Sequence, residues 1–189
     1  MIIKFAEFIK GAVGTNDIFT DENPQVAFVG RSNVGKSSLL ASILPKKDLV
    51  KTGKKPGKTT EINFFHINHK YYFVDLPGYG YAAGGKEKIE KIRKLIIWYL
   101  TESGARPNTV VLIVDIKAGF TQFDIDMLKI LREQNHQYLI VANEIDKLNQ
   151  KEVSAQLSKI RAASGEHDIV LYSATHTKNP NMILDKLFV

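Results

Sequence analysis

Residues 25–37 read QVAFVGRSNVGKS, and this stretch decides the fold. Its last eight residues, 30–37, fit the pattern G-x-x-x-x-G-K-[ST], which is informative when it follows a strand and opens a helix. A β-prone run precedes the pattern here, and the apolar sequence SSLLASI continues it. Glycines at both ends let the backbone wrap around a phosphate group, so that several N–H groups and a helix N-terminus point at it. The stretch therefore predicts a nucleotide phosphate loop.

Two side chains of this loop have the chemistry to contact a magnesium nucleotide directly. Lys36 is expected to neutralise the β- and γ-phosphates, and Ser37 is expected to ligate Mg²⁺. The other loop positions are expected to line the nucleotide, and they are Gly30, Arg31, Ser32, Asn33, Val34, Gly35 and Ser38.

Apolar β-prone runs alternate with segments of helical spacing along the rest of the chain. The strand-like runs are residues 25–30, 62–67, 71–75, 109–115, 137–142 and 168–172. The helical stripes fall within residues 89–100, 123–131, 153–160 and 183–187. This alternation predicts a three-layer α/β fold, in which helices cover both faces of a mostly parallel six-stranded sheet. The connection Asn68-His69-Lys70 is so short that the second and third runs are expected to form an antiparallel hairpin at one edge.

Two aspartates at strand ends compete for the role of Mg²⁺ partner. Asp75 can hold Mg²⁺ through water, while the N–H of Gly78 can sense a γ-phosphate. Asp115 also ends a strand-like run, but it lacks a glycine at the same offset, so we interpret it as a loop-ordering residue. The favoured stretch, expected to line the nucleotide, is Asp75, Leu76, Pro77 and Gly78.

Residues 141–146 read VANEID and follow another strand-like run, at the rim where ligands bind in such a sheet. The Asp146 carboxylate can accept hydrogen bonds from guanine N1–H and the 2-amino group, a pair that adenine does not offer. Asn143 is expected to brace the neighbouring loops, and Ser173-Ala174 to present a backbone N–H to guanine O6. Asn-x-x-Asp alone is a weak signal, but after a phosphate loop and a DxxG stretch it predicts binding of GTP and GDP.

The net charge of +6 is concentrated in two stretches. Residues 46–58 carry six Lys against one Asp, and residues 86–94 carry five basic residues against two acidic ones. Solvated Lys side chains are one explanation, and a surface for polyanions such as RNA is the other. The first stretch runs into KPGKTTEINFF, where a Thr hydroxyl can close over Mg²⁺ and the γ-phosphate. Chemistry alone permits either Thr59 or Thr60.

Together these motifs resemble those of the translation-factor-type GTPases. VAFVGRSNVGKSSLL, KPGKTTEINFF and FVDLPGYGYA are similar to the EngB/YihA family of ribosome-biogenesis GTPases, and FTQFDIDML fits the same family. The resemblance spans about residues 24–187. It implies a Ras-like P-loop GTPase fold, GTP hydrolysis, and a part in large ribosomal subunit assembly on which bacterial cell division and septation depend. It assigns Ser37 and Thr59 to Mg²⁺ and Asp75–Gly78 to GTP. The strand-end chemistry of Asp75 adds this residue to the metal site, and we add Gly57 and Lys58 to the nucleotide site.

Two positions depart from the usual pattern of these GTPases. The base-reading loop of the family carries Lys where this chain has Glu144, which is shorter and negative, so we expect weaker GTP and GDP binding that improves in Glu144→Lys. In the alternative, Glu144 turns to a neighbouring Lys and the affinity stays normal. Many GTPases place a water-positioning Gln right after DxxG, where this chain has Tyr79, so we expect slow intrinsic hydrolysis.

The residues expected to take part in catalysis are Asn33, Lys36, Thr59 and Gly78. Related GTPases with Asn at the position of Asn33 use it to help bind K⁺, whose charge can stand in for that of an arginine finger. The resemblance thus implies stimulation by K⁺ or by docking onto a ribosomal particle. Arg31 and Arg93 are weak candidates for charge stabilisation, and we expect both to be solvated at the surface instead.

The remaining expectations concern partners and setting. Tyr79, Tyr81 and the two basic stretches are expected to face rRNA or a large-subunit precursor. The sequence lacks Cys, a signal-like apolar segment and a run long enough to span a bilayer, so we expect a cytoplasmic protein without membrane contact. We also expect it to be a monomer. The five His show no recognised ligand spacing, which argues against a dedicated zinc site. We expect one GTP-binding domain over residues 1–189, on which residues 1–23 pack as an extension.

Two other functions fit parts of the sequence. A P-loop nucleotide kinase would need an Arg-rich lid, whereas the five Arg of this chain are dispersed. A non-hydrolysing scaffold that binds nucleotide and holds rRNA would share the binding motifs. Phosphate release on a ribosomal partner separates the GTPase from the scaffold, and a phosphorylated acceptor would indicate the kinase.

Overall fold

The computed structural model of the chain describes residues 1–46, 49–50, 61–80, 85–166, 168–176 and 181–188. The strands within these ranges are β1 (Ala6–Ala12), β2 (Gln25–Gly30), β3 (Ile62–Ile67), β4 (Tyr71–Asp75), β5 (Thr109–Asp115), β6 (Tyr138–Asn143) and β7 (Ile169–Leu171). The helices are α1 (Lys36–Ile43), α2 (Gly85–Thr101), α3 (Gln122–Glu133), α4 (Gln150–Ser164) and α5 (Asn181–Leu187). Single 3-10 turns lie at Asp17–Phe19 and Ile145–Lys147.

One mixed sheet forms the middle layer, with the strand order β1-β3-β4-β2-β5-β6-β7. All six predicted strands are present, and each bound differs from the prediction by no more than one residue. β3 is antiparallel to both of its neighbours, whereas β2, β4, β5, β6 and β7 run parallel to one another. The predicted three-layer α/β fold is confirmed, with seven strands in place of six.

The additional strand, β1, lies outside the predicted hairpin. It pairs antiparallel with β3, from Ala6 opposite Ile67 to Ala12 opposite Ile62, so the hairpin is not the edge of the sheet. The register shifts between Phe8 and Lys10, which marks a bulge. The bulge disturbs the alternation of apolar and polar residues, and this alternation is the pattern by which a strand is recognised in a sequence.

The hairpin turn between β3 and β4 also holds the start of the chain. Asn68 and His69 have φ angles of 50° and 55°, as a tight type I′ turn requires at both central positions. The side-chain oxygen of Asn68 accepts hydrogen bonds from the N–H groups of Lys4 at 2.8 Å and Phe5 at 3.0 Å. The turn and the segment before β1 are therefore fixed to each other.

Apolar layers cover both faces of the sheet. In β5, Val110, Leu112 and Val114 belong to the layer that contains residues of α2, α3 and α4. Val111 and Ile113, which alternate with them, belong to the layer that contains residues of α1 and α5. No helix in the described ranges is both long enough and apolar enough to cross a bilayer.

The parallel strands end together along one side of the sheet, which we call the carboxyl rim; it is formed by the C-terminal ends of β2, β4, β5, β6 and β7. β2 lies between β4 and β5, so the chain leaves it toward one side of the sheet and later returns to the other. Ligands bind at such a switch point in open α/β sheets. The candidate residues Gly30, Asp75 and Asn143 end β2, β4 and β6 at this rim.

Candidate nucleotide-binding site

The loop between β2 and α1 depends on two glycines. A Cβ at Gly30 would lie 2.6 Å from the carbonyl oxygen of Ile113 in the neighbouring strand. A Cβ at Gly35 would lie 2.4 Å from Nδ2 of Asn143, and Gly35 has a φ of 81°, a region that favours glycine. Gly35 caps α1, whose first N–H groups lack partners within the helix. Close backbone approach and a free helix N-terminus are what a phosphate loop requires.

Lys36 and Asp75 form a buried ion pair in the middle of the site. Nζ of Lys36 contacts Oδ1 of Asp75, and the two residues are only 7% and 3% exposed. The pair connects the first residue of α1 to the last residue of β4. Burying an unpaired charge costs several kcal/mol, so each charge is stabilised here by the other. An ammonium and a carboxylate are thereby held side by side at the carboxyl rim.

The DLPG stretch after β4 is joined to the phosphate loop. The N–H of Ser32 donates to the carbonyl of Tyr79 at 2.8 Å, and the N–H of Tyr79 donates to the carbonyl of Gly30 at 3.3 Å. The Ser32 hydroxyl donates to the carbonyl of Gly78 at 3.1 Å. A Cβ at Gly78 would lie 3.0 Å from Ser32 atoms, so glycine permits this approach. The two residues between Asp75 and Gly78 are buried, and they are Leu76 and Pro77.

Tyr79 is buried, so the prediction that it faces RNA is wrong. It is 3% exposed, and its hydroxyl donates to Oδ1 of Asp124 at 2.8 Å. Nε of Arg31 lies 3.3 Å from Oδ2 of the same carboxylate, so Arg31 is not the solvated residue that was expected. Burial, together with the charge of Asp124, raises the pKa of Tyr79 well above its ordinary value. The phenol therefore stays protonated and remains a donor.

Asp124 contacts the candidate site through Tyr79 and Arg31, and this role was not predicted from the sequence. It lies fully buried in the first turn of α3, where Oδ2 accepts from the N–H of Thr121 at 2.9 Å and from its hydroxyl at 2.7 Å. The spacing of Thr121 and Asp124 fits a helix capping box, which was a readable local signal. The longer-range contacts to Arg31 and Tyr79 have no such signal, because they depend on how α3 packs beside the phosphate loop.

Asn143 connects the phosphate loop to the base-reading loop. Its Nδ2 donates to the carbonyl of Val34 at 2.9 Å, and the residue is buried. Its Oδ1 is buried as well and has no hydrogen-bond partner within the described part of the chain. The contact joins the two loops that the sequence assigns to the phosphates and the base.

Glu144 is paired with a lysine three residues away. Its backbone has a φ of 66°, and its Oε2 accepts a hydrogen bond from Nζ of Lys147 at 2.7 Å. This bond raises the pKa of Lys147. Oε1 of Glu144 lies 3.8 Å from the point that a Cβ at Gly35 would occupy. The carboxylate therefore lies beside the phosphate loop, and its charge is offset by the neighbouring Lys, as in the alternative given above.

Asp146 and Ser173 meet at the carboxyl rim from two different loops. The Ser173 hydroxyl donates to Oδ1 of Asp146 at 2.5 Å, and Nδ1 of His176 lies 3.5 Å from Oδ2. The hydrogen bond from Ser173 lowers the pKa of Asp146, so its carboxylate is charged at neutral pH. Ala174 directly follows Ser173 in the same loop. The contact with His176 was not anticipated from the sequence.

Several candidate residues lie outside the described ranges, and they are Gly57, Lys58, Thr59, Thr60, Tyr81 and most of the basic stretch 46–58. The positions next to Lys36 in the first turn of α1 are Ser37 and Ser38, and Ser38 is exposed. Asn33 is exposed in the phosphate loop, with a φ of 70°.

The basic stretch 86–94 lies in the first half of α2. Lys86, Lys91 and Lys94 are exposed there, so positive charge is available on the surface of this helix. Arg93 is less free than was expected, because its guanidinium lies 3.3 Å from Oδ2 of Asp126 in α3.

Comparison with known proteins gives a consistent result. A family model described as "50S ribosome-binding GTPase" matches residues 25–144. The probable GTP-binding protein EngB of Clostridium perfringens is 36% identical over 191 residues, covering 100% of this chain and 96% of the relative. The protein of the same name from Clostridium kluyveri is 43% identical over 161 residues, covering 85% and 81%. That from Aquifex aeolicus is 38% identical over 164 residues, covering 87% and 89%.

Solved structures agree in fold. The crystal structure of a probable GTP-binding protein engB superposes with a TM-score of 0.75 at 26% identity, covering 87% of this chain and 96% of that one. Era from Aquifex aeolicus, bound to GDP and AlF4⁻, gives a TM-score of 0.64 at 23% identity, covering 86% of this chain and 55% of that one. The second likeness concerns the fold alone. Coverage and identity to the EngB relatives are decisive: the chain belongs to the EngB family of GTP-binding proteins and is a GTPase.

Proposed function

We propose that this protein is a slowly hydrolysing GTPase that acts as a nucleotide-dependent switch in assembly of the large ribosomal subunit. The observation that carries the proposal is the convergence of Lys36, Asp75, Asn143, Asp146 and Ser173 at the carboxyl rim. Because these residues come from four separate parts of the chain, their meeting is a property of the folded site. The family description, a 50S ribosome-binding GTPase, supports the large subunit as the partner.

The phosphate side of the site fits a magnesium triphosphate. The buried pair of Lys36 and Asp75 brings together a cation suited to phosphate oxygens and an anion suited to Mg²⁺. On nucleotide binding, Lys36 would exchange the Asp75 carboxylate for phosphate oxygens, and Asp75 would exchange the Lys36 ammonium for Mg²⁺. Neither charge would then be left unpaired. Ser37 and Thr59 would complete the set that holds Mg²⁺, which neutralises the charge that develops on the phosphates.

The base side fits guanine. Ser173 orients the Asp146 carboxylate and keeps it ionised, as an acceptor for N1–H and the 2-amino group must be. Ala174 would offer its N–H to guanine O6, and Asn143 holds this loop against the phosphate loop. Adenine has no N1–H to donate and presents an amino group where guanine has O6. The site would therefore select GTP and GDP over ATP.

The position of Tyr79 supports the proposal of slow hydrolysis. Its hydroxyl is a donor to Asp124 inside the protein, so it cannot position an attacking water as a carboxamide does. Gly78 would instead sense the γ-phosphate through its N–H, while Lys36 stabilises charge on the phosphates. Asn33, exposed in the loop, would help to bind K⁺, and K⁺ or the ribosomal partner would supply the missing charge.

The nucleotide state is proposed to control binding to rRNA or to a large-subunit precursor. Exposed Lys side chains at the start of α2 supply positive charge for phosphate contacts. We further propose that the protein acts as a cytoplasmic monomer, that residues 1–189 form a single GTP-binding domain, and that cell division and septation depend on it. Coupling of about 1–3 kcal/mol between GTP and the partner would change partner affinity roughly 5–150-fold.

The test compares binding to large-subunit particles in the GTP-analogue and GDP states across a salt series. The proposal predicts tighter binding with the GTP analogue, and weaker binding as salt rises, because phosphate contacts release counterions. Curves that coincide for the two nucleotides would remove the switch. Curves without a salt response would remove the phosphate contacts.

A second function, a non-hydrolysing scaffold, is favoured by the buried hydroxyl of Tyr79 where a water-positioning group is usual. Single-turnover phosphate release decides between the two. The GTPase releases phosphate, faster in K⁺ than in Na⁺ or faster on the ribosomal particle. A rate no higher than that of GTP in buffer under every condition would establish the scaffold.

A further inference from the structure

Three side chains with metal-ligating chemistry meet far from the nucleotide site. They are Glu7 in β1, His66 in β3 and His69 in the turn after β3. Their ligand atoms all lie within 4.8 Å of one another, and Oε1 of Glu7 lies 3.6 Å from Nδ1 of His66. The spacing of the His residues in the sequence argued against a zinc site. That spacing could not reveal this cluster, because Glu7 lies in β1, 59 residues before His66, and so belongs to no local pattern.

From this geometry we propose that Glu7, His66 and His69 form a binding site for a divalent transition-metal ion such as Zn²⁺. Two imidazoles with one carboxylate form a ligand set that zinc uses in proteins, with the remaining position open to water. Imidazole ligands favour Zn²⁺, Ni²⁺ and Cu²⁺ over Mg²⁺, which prefers oxygen ligands. The site would therefore not compete with the phosphate loop for Mg²⁺.

The backbone brings the three residues together in a defined way. Glu7 and His66 are directly opposite each other in the β1–β3 pairing, so their side chains stand on the same face of the sheet. His69 has a φ of 55° in the tight turn, and its ring stacks on that of Phe5 with 3.9 Å between centroids. Asn68 holds this turn to the backbone before β1. Two of the ligands thus come from segments that hydrogen bonds already connect.

His66 presents Nδ1 to the cluster, because this is the nitrogen that lies 3.6 Å from Oε1 of Glu7. Its other ring nitrogen, Nε2, is buried. Ligand atoms of a tetrahedral zinc site are separated by about 3.3 Å, given metal–ligand distances of about 2.0–2.1 Å. Closing from 4.8 Å would require side-chain rotation, for which Glu7 and His69 are exposed, and His69 would exchange its stack on Phe5 for the metal ion.

A metal ion here would fasten β1 to the turn between β3 and β4. β1 is the outermost strand of the sheet and carries exposed apolar side chains at Phe8 and Ile9, so additional restraint would act where the sheet is least covered. The site lies at the other end of β4 from Asp75, about 13 Å away along the strand at roughly 3.3 Å per residue. Metal binding and nucleotide binding are therefore separable in an experiment.

The test is calorimetric titration of the full chain with Zn²⁺ after chelator treatment, with GDP and Mg²⁺ present at saturation. We expect one Zn²⁺ per chain, and visible absorption bands when Co²⁺ is used as the probe. His69→Asn should lower Zn²⁺ affinity by about tenfold or more, since even the loss of a group that merely supports a ligand costs 10–100-fold. Asn adopts the positive φ of this turn readily, so the variant preserves the fold. Glu7→Gln should have an effect in the same direction.

His136→Asn is the matched control, because His136 lies between α3 and β6 and is not part of the cluster. It should retain wild-type Zn²⁺ affinity, and GDP affinity should be unchanged in His69→Asn and Glu7→Gln. The proposal is overturned if the wild type binds no Zn²⁺, or if His69→Asn and His136→Asn bind it equally well. Melting temperatures without metal identify any variant that fails to fold, and His69→Asn and Glu7→Gln each decide the question independently of His66.

Discussion

The two halves of the proposed nucleotide site are built by different means. The phosphate half (Gly30, Gly35, Lys36, Asp75 and Gly78) relies on buried charges and on backbone approaches too close for a Cβ. The base half (Asn143, Glu144, Asp146 and Ser173) relies largely on side chains that orient one another. Lys147, the partner of Glu144, is mostly exposed. Substitutions in the phosphate half should therefore cost folding stability and binding together. Substitutions in the base half should mainly change which nucleotide binds, and how tightly.

The largest effect is expected for Lys36→Ala. Removal of the ammonium leaves Asp75 buried without its partner, which should lower the free energy of unfolding by about 3–5 kcal/mol and abolish tight GTP binding. Urea denaturation and nucleotide titration measure the two losses. Lys91→Ala is the control, because Lys91 and Glu87 form an exposed pair with 2.8 Å between Nζ and Oε1. An equal loss of stability in both variants would show that burial of the Lys36–Asp75 pair is not what matters.

The second largest effect is expected for Gly35→Ala. The left-handed φ costs an L-residue about 1–2 kcal/mol, and the new methyl group must also displace the Asn143 amide. Gly14→Ala is matched in φ, at 74°, but a Cβ there meets nothing within 4 Å. Both variants should lose stability, whereas only Gly35→Ala should lose GDP affinity, which fluorescence titration measures. Comparable GDP binding by the two variants would mean that the close approach to Asn143 has no part in the site.

In the base half, Asp146→Asn should reverse the hydrogen-bonding preference at the purine. A hydrogen bond to a charged group contributes about 1.5–3 kcal/mol, so GDP affinity should fall roughly 10–150-fold. The amide can instead donate to the C2 carbonyl of xanthine, so xanthosine diphosphate should gain affinity. The unfolding free energy should change less than in Lys36→Ala. Unaltered preference for GDP over xanthosine diphosphate would place Asp146 away from the base.

Ser173→Ala should reduce stability in a pH-dependent way. The Ser173 hydroxyl lowers the pKa of Asp146 in the folded state, so its contribution is present above the unfolded value, about 3.9, and is lost as pH falls through the folded pKa. The wild type and Ser173→Ala should therefore differ in unfolding free energy at neutral pH, and this difference should shrink progressively as the pH falls below about 4. Urea titrations at several pH values measure this. A difference that persists unchanged below that pH would assign the effect to packing.

The smallest effect is expected at Glu144. Glu144→Lys replaces a carboxylate beside the phosphate loop with a cation, which should tighten GDP binding by up to about fivefold, since partly exposed charges interact by about 0.2–1 kcal/mol. Lys147→Ala is the reciprocal variant. It removes the partner of Glu144, so the negative charge beside the phosphate loop is no longer offset, and GDP binding should weaken by a similar amount. Titrations of both at low and high salt separate charge from packing. If neither moves the affinity, the ion pair isolates Glu144 from the nucleotide.

The sequence was informative where a local pattern has one structural solution. Six strands were located to within a residue, because each is a compact β-prone run and its neighbours are helical. The phosphate loop was predicted from the spacing of its glycines, and the structure shows that a Cβ at Gly30 or Gly35 would collide with neighbouring atoms. β1 was missed, because its bulge and its exposed Phe8 and Ile9 disturb the alternation that identifies a strand.

Contacts between distant segments were the part that sequence patterns did not reveal. Tyr79 was expected at the surface, yet it donates to Asp124, 45 residues later, because α3 packs beside the DLPG stretch. The pairing of Glu144 with a neighbouring Lys was only one of two alternatives given by the sequence. Which of them holds depends on the turn that brings Lys147 near Glu144. Local motifs therefore supplied the candidate residues, while the contacts that support them required the fold.

The most direct test of the central claim is titration of the nucleotide-free protein with GTP and with ATP, side by side, with and without Mg²⁺. A site that reads guanine through the Asp146 carboxylate should bind GTP at least about a hundredfold more tightly than ATP, because ATP would leave the polar groups of the site unpaired. Omission of Mg²⁺ should weaken GTP binding. Equal affinities for GTP and ATP would contradict the account.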